Sequence, residues 1–150
     1  MIFPFFVPPH RYPPTFVLDV SVAETWAIPR NYSLYTNRVQ FKLISTVALV
    51  PATWPFDLAE QMRVALNQGE TTQHRIDVLI NSISLLHIYV DDEGPFRACH
   101  DLLKLARTHN IPVSNSAYLE LALRMNLPLA TIDPALTRAA NAAGVSIFTP

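Results

Sequence analysis

The strongest constraint on this chain is that short apolar, β-branched runs alternate with longer stretches of helical period. Thr15-Phe-Val-Leu-Asp-Val, Val47-Ala-Leu-Val, Leu86 to Val90 and Leu129 to Ile132 are too short for helices and nearly free of charge, so they read as buried strands. Val145 to Phe148 closes the chain in the same way. Helical patterns fill the gaps. The first runs from Ser21 to Ala27 and stops at Pro29, and the second spans Tyr32 to Ser45. The third starts at a Thr53 cap with Pro55 in its first turn and ends at Gly69, and the fourth is capped by Thr71 or Thr72. A fifth follows the acidic Asp91-Asp-Glu-Gly and reaches about His109. The last two run from a Ser114 or Asn115 cap to Met125, and from Pro134 to Gly144. This alternation predicts an α/β fold: a three-layer α/β/α sandwich with a mainly parallel central sheet and helices on both faces.

Composition narrows the class. In 150 residues, 50% hydrophobic content against 15% charged content supplies enough apolar surface for a packed domain. A net charge of −1 argues against nucleic-acid binding through bulk positive charge. Three glycines leave no room for a Gly-rich phosphate loop, and the single Cys99 excludes a disulfide framework; a buried structural thiol is expected. No apolar run approaches the ~20 residues needed to span a bilayer. Five of the 13 prolines fall in residues 1–14 beside Phe3, Phe5, Phe6 and Tyr12, which predicts an extended arm, with the domain proper over 15–150. The arm lacks the basic start and cleavage site of a signal peptide, so a cytoplasmic protein is expected.

In a parallel sheet, ligands bind beyond the carboxyl ends of the strands. Two acids stand there: Asp19 after Phe16-Val-Leu, and Asp133 after Ala130-Thr-Ile. Each also precedes a helix, so each is equally placed to be an N-cap. Asp57 and Asn115, both near helix starts, are two further polar groups at the same kind of location. The five histidines show no ligand spacing. Nine Arg against two Lys favour forked phosphate contacts, with Arg124 and Arg138 as candidates or as plain surface residues.

Four segments carry a resemblance. Phe16-Val-Leu-Asp-Val-Ser-Val-Ala, Trp54-Pro-Phe-Asp-Leu-Ala, Ser114-Asn-Ser-Ala-Tyr-Leu-Glu-Leu-Ala-Leu-Arg and Leu127-Pro-Leu-Ala-Thr-Ile-Asp-Pro-Ala-Leu resemble, in order, the motifs of PIN-domain proteins. Among these the chain is most similar to the VapC-type toxins of bacterial toxin–antitoxin modules, over roughly Thr15 to Phe148. The resemblance implies a metal-dependent endoribonuclease with Mg²⁺ or Mn²⁺ held by Asp19, Asp57 and Asp133, and with Asn115 completing the catalytic set. It places Ser21 beside the first acid, where a hydroxyl can orient a ligand. It also implies RNA as substrate, a cognate antitoxin protein as partner, a homodimer and no membrane. Phe41 and Ile44, or Leu34 and Tyr35, are candidate contacts for such partners, and core packing explains them equally well.

Two positions depart from the family pattern. Asp57 stands where a Glu is usual, and Asn115 where an Asp is usual, which removes one formal negative charge. An amide oxygen still suits a hard cation, but lower charge weakens its binding. Glu60, three residues after Asp57 where the family commonly has Asn, either restores the missing carboxylate or is an exposed helix residue. Glu120 is expected to be solvated. The alternative function is a degenerate PIN module that binds RNA or a protein without cutting.

Overall fold

A computed structural model describes residues 13–150 of the chain. Strand β1 (Pro14–Leu18) leads through a short helix α1 (Val20–Ala23), a 3₁₀ turn (Glu24–Trp26) and α2 (Leu34–Lys42) to β2 (Val47–Pro51). Helices α3 (Trp54–Asn67) and α4 (Gln73–Ile83) form a hairpin before β3 (Ile88–Asp91). Next come α5 (Gly94–Arg97), α6 (Leu103–His109) and the long α7 (Val113–Met125). A two-residue β4 (Leu129–Ala130) and α8 (Pro134–Ala142) complete the fold.

The four strands are all parallel, in the order β3-β2-β1-β4. Right-handed crossovers place the helices between β1, β2 and β3 on one face of the sheet and those between β3 and β4 on the other. The expected α/β sandwich is thus the observed fold. Every residue of β2 is buried, as a strand covered on both faces must be. Phe16, Val17 and Leu18 of β1 are fully buried, and Phe16 stacks on Phe148 with ring centroids 4.0 Å apart. The order also has a functional consequence. The chain builds outward from β1 through β2 to β3, then returns to the other side of β1 with β4. The direction reverses between β1 and β4, and a crevice opens at the carboxyl ends of two such strands.

Several expectations need correction. The strand expected over Leu129 to Ile132 stops at Ala130, because the Thr131 hydroxyl accepts the Asp133 N–H and turns the chain out of the ladder. Val145 to Phe148 contributes only a single parallel bridge, Ile147 to Leu129. Thr53 makes no side-chain cap: its own backbone is already helical, so its hydroxyl is not aimed at the first free N–H groups. Thr72 does cap α4, through the Arg75 N–H. The segment after β3 is not one regular helix, since a π-helical turn at Ala98–Leu102 separates α5 from α6. Cys99 lies in that turn and is exposed, so it is not the buried structural thiol expected. Of the proline-rich arm, residues 1–12 lie outside the described residues, and Pro14 already pairs with Val47 in the sheet. Among the described residues no helix is long and apolar enough to cross a membrane.

Candidate functional site

The register of β1 against β4 builds the centre of the site. Val17 pairs with Leu129 and Leu18 with Ala130, so the next residues, Asp19 and Thr131, meet as the two strands end. The Thr131 hydroxyl donates to Asp19 Oδ2 at 2.6 Å and accepts the backbone N–H of Asp133 at 3.0 Å. One hydroxyl therefore fixes both acids. Ser21 completes the clasp, donating to the same Asp19 oxygen and accepting the Ile132 N–H at 3.1 Å. Ser21 thus stands beside the first acid and is hydrogen-bonded to it.

The two acids differ in kind. Asp133 is a true N-cap, its Oδ1 accepting the Leu136 N–H at 2.8 Å. Asp19 makes no side-chain cap bond and is only 3% exposed. Burial pushes its carboxyl above the usual range; the Ser21 and Thr131 hydrogen bonds oppose that rise without cancelling it, and the nearby Asp133 charge adds to it. A buried carboxylate held by neutral donors is a costly arrangement, which directs attention to what it could bind.

Asn115 comes into the site, but not as a helix cap. Helix α7 begins at Val113 after Pro112, so Asn115 already lies within the first turn and its side chain is available for a tertiary contact. It donates from Nδ2 to Asp133 Oδ2 at 3.3 Å. An ionised carboxylate only accepts, which sets the orientation of the amide. A carboxylate at this position would instead face Asp133 with like charge.

Asp57 is joined to the centre through Tyr118. It lies in the first turn of α3, half-buried, and its Oδ2 accepts from the Tyr118 hydroxyl at 3.0 Å. Burial raises the Asp57 carboxyl, with the Tyr118 hydrogen bond acting against it. Tyr118 is itself 1% exposed. Burial, and then the charges of Asp19 and Asp57, hold its phenol protonated far above any ordinary pH. The phenol therefore acts as a fixed neutral donor to Asp57. In the sequence it stands only as the Tyr of the Ser114-Asn-Ser-Ala-Tyr-Leu segment.

Glu60 is not brought in. It points outward from α3 and forms a two-pronged pair with Arg63, at 2.7 and 2.8 Å. Glu120 is corrected the other way: it is buried, not solvated, and is paired with Arg124 at 2.9 Å. Arg124 also forks onto Asp91 at 2.7 and 3.2 Å, so it is a structural clamp rather than a surface or RNA-lining residue.

Sequence reasoning missed Glu24, on the 3₁₀ turn five residues after Asp19. Burial first, then the charges of Asp19, Asp133 and Glu70, push its carboxyl up to about 7. The only signal in the sequence was one acid inside an otherwise apolar turn. A carboxyl raised in the folded state stabilises the protein below its unfolded value and loses that contribution as pH rises through the folded one. We expect the melting temperature to fall between pH 5 and pH 8, and Glu24→Gln to flatten that slope. Calorimetry at four pH values checks this, and parallel slopes for the two proteins would refute it.

The charge pattern separates these acids from the rest. Of the twelve acids, six pair with arginines: Glu60, Glu70, Asp91, Glu93, Asp101 and Glu120. Asp77 and Asp92 are exposed. The remaining four, Asp19, Glu24, Asp57 and Asp133, are buried or half-buried, and none has a Lys, Arg or His partner within 4.0 Å among the described residues. They do not form a closed cage. Among the described residues no three His, Cys, Asp or Glu side chains converge tightly enough to hold a metal ion between them. The centre is Asp19 and Asp133, linked by the Thr131 hydroxyl through the carboxylate of the first and the backbone N–H of the second, with Glu24 and Asp57 at its margins. No protein-family model matches the chain, and no characterised protein resembles it closely enough to count as a match.

Proposed function

We propose that this chain is a PIN-type endoribonuclease of the VapC toxin class, hydrolysing RNA phosphodiester bonds with Mg²⁺ or Mn²⁺. The observation that carries the reading is the set of four sheltered acids without cationic partners among the described residues, centred on the switch point between β1 and β4. The donor set fits the ion in a particular way. Mg²⁺ is commonly held by one or two carboxylates, several waters and the substrate phosphate, rather than by a protein cage. Asp19 and Asp133 would hold it, with the Asn115 amide and Glu24 in support. When bound, such an ion activates water and offsets charge on the leaving oxygen.

The chain's own residues do the rest. Ser21 and Thr131 fix one oxygen of Asp19, leaving the orientation of the other set by the same two bonds. Tyr118 holds Asp57 in place without adding charge. Phe41, Ile44 and Leu34 are exposed, so core packing does not account for them. They support a homodimer or antitoxin contact on α2. Tyr35 is different, half-buried with its hydroxyl donating to the Phe148 carbonyl.

One observation favours a second reading, the non-cleaving module. Asn115 spends its N–H on Asp133, which satisfies that acid internally and lowers the charge available to a cation. Incubating the purified protein with RNA and Mn²⁺, beside Asn115→Asp, separates the two readings. Cleavage by the native chain, faster in Asn115→Asp, is expected of the enzyme. Cleavage only after the substitution would establish the binding module instead.

A further inference from the structure

The stretch from Gly94 to Leu119 is one-sided in charge: it holds Arg97, Lys104 and Arg107 against a single acid, Asp101. Arg97 is engaged by Glu93, Asp101 and Glu120. Asp101 is in turn held by Arg97 and by His100 Nδ1 at 2.7 Å. Lys104 and Arg107 are left over. Both are exposed, one helical turn apart on α6, and neither has an acid within 4.0 Å among the described residues. With His100 and Thr108 they border a shallow hollow of about 440 Å³ along the helix. Helix α5, the π-helical turn and α6 follow one another without a break, so Phe96 precedes this line by one turn. It is 92% exposed, the highest value of any large hydrophobic residue among the described residues.

Two free cations without a competing acid suit an anionic partner, and a ring held out in water suits a flat apolar face. Single-stranded RNA offers both at once, a phosphate backbone and unstacked bases. A duplex keeps its bases stacked inside, and an acidic peptide would answer the cations but not the ring. Because the charge is local, a net charge of −1 does not oppose such binding. The location agrees. Residues 110–112 join α6 to α7, and the two helices pack together. So short a link makes them antiparallel neighbours. The Arg107 end of α6 therefore adjoins the first turn of α7, where Asn115 reaches Asp133.

We propose that the outer face of α5 and α6 is a track for single-stranded RNA, with Phe96 stacked on a base and Lys104 and Arg107 on backbone phosphates. A strand held there runs toward the acids at the ends of β1 and β4. The inference rests on the nuclease reading only for the strand's use as substrate; the binding itself stands without it.

Fluorescence anisotropy on the full chain tests this, with a labelled single-stranded RNA of about 12 nucleotides and with EDTA present so that no metal-dependent cleavage occurs. Lys104→Ser/Arg107→Ser should weaken binding by about 10-fold or more. It should also lower the slope of log K against log salt by about 1.4, at ~0.7 per lost phosphate contact. Phe96→Ala should weaken binding by about 5-fold or more and leave that slope unchanged, while Phe96→Trp keeps a stacking face and should bind like the native chain. Arg38→Ser/Lys42→Ser removes the same charge from α2 and should leave binding unchanged. No binding by the native chain, no loss in the α6 variant, or an equal loss in the α2 variant overturns the proposal. So does displacement of the RNA by polyglutamate or by duplex RNA as readily as by a single strand. The nuclease reading fails separately. A native chain that binds along α6 but does not cut RNA with Mn²⁺ keeps the track and loses the nuclease. One that cuts, with binding indifferent to these substitutions, keeps the nuclease and loses the track.

Discussion

If the chain cleaves RNA as proposed, Asp19→Asn should lower the rate by about 10³-fold or more, and at the same time make the protein more stable. The two effects have one cause. Asp19 is buried, its carboxylate held by neutral donors, the Ser21 and Thr131 hydroxyls among them, and among the described residues its charged neighbours are Asp133 and Glu24 rather than a cation. An isosteric amide keeps the shape, removes the cost of burying a charge, and ends the repulsion. A gain of about 1–2 kcal/mol is expected at pH 7, or roughly 2–8 °C in melting temperature for a domain of this size. The sign can be checked against pH. Because burial raises the Asp19 carboxyl, its ionisation works against folding above the ordinary carboxylate range, so the advantage of Asp19→Asn should shrink as pH is lowered. Thermal melts at pH 7 and pH 5, run beside the cleavage assay, measure both. A variant that loses cleavage and also loses stability would show that Asp19 is structural, and the catalytic reading would fall with it.

Arg124→Met should be the most destabilising single change outside the apolar core. Among the described residues Arg124 is the one cation that reaches both Asp91, at the end of β3, and Glu120, on its own helix α7. Asp91 also accepts the Gly94 N–H at 3.1 Å, so the same carboxylate caps the entry to α5. Removing the guanidinium leaves the buried Glu120 with only Arg97, at 3.6 Å, and leaves Asp91 without a cation. Breaking a buried pair from one side costs about 3–5 kcal/mol, which corresponds to roughly 6–20 °C in melting temperature. The double variant Arg124→Met/Glu120→Met should recover much of that loss, because it removes the stranded charge along with its partner. A single variant within 1 kcal/mol of the native protein would sink this account of the clamp. The clamp also bears on the site. Helix α7 carries Asn115 and Tyr118 at its other end, so loosening Arg124 should reduce cleavage even under conditions where the variant is folded.

The positions of Asp19, Asp133, Asp57 and Asn115 near the carboxyl ends of strands were legible in the sequence, because strand length, helix period and the prolines at 51 and 134 are local properties of the chain. The same locality explains which details escaped. Whether Asn115 caps a helix or reaches across to Asp133 depends on where α7 starts, and Pro112 moves that start by only a residue or two. Glu60 and Glu120 occupy comparable places on amphipathic helices, yet one is exposed beside Arg63 and the other is buried beneath Arg124. Burial of a helical acid is decided by what packs over it, and that information lies in distant segments. Tyr118 is a core residue, and that its hydroxyl reaches Asp57, 61 positions away, could not be read from helical spacing.

The sequence by itself therefore determined the class of fold and the rim on which the acids stand, since both follow from periodicity and from the order of strands and helices. Only the tertiary structure decided which acids are left without cations, because charge compensation is a matter of through-space distance. It took the parallel register of β1 on β4 to bring Thr131 against Asp19, and the turn after α1 to bring Glu24 toward both acids.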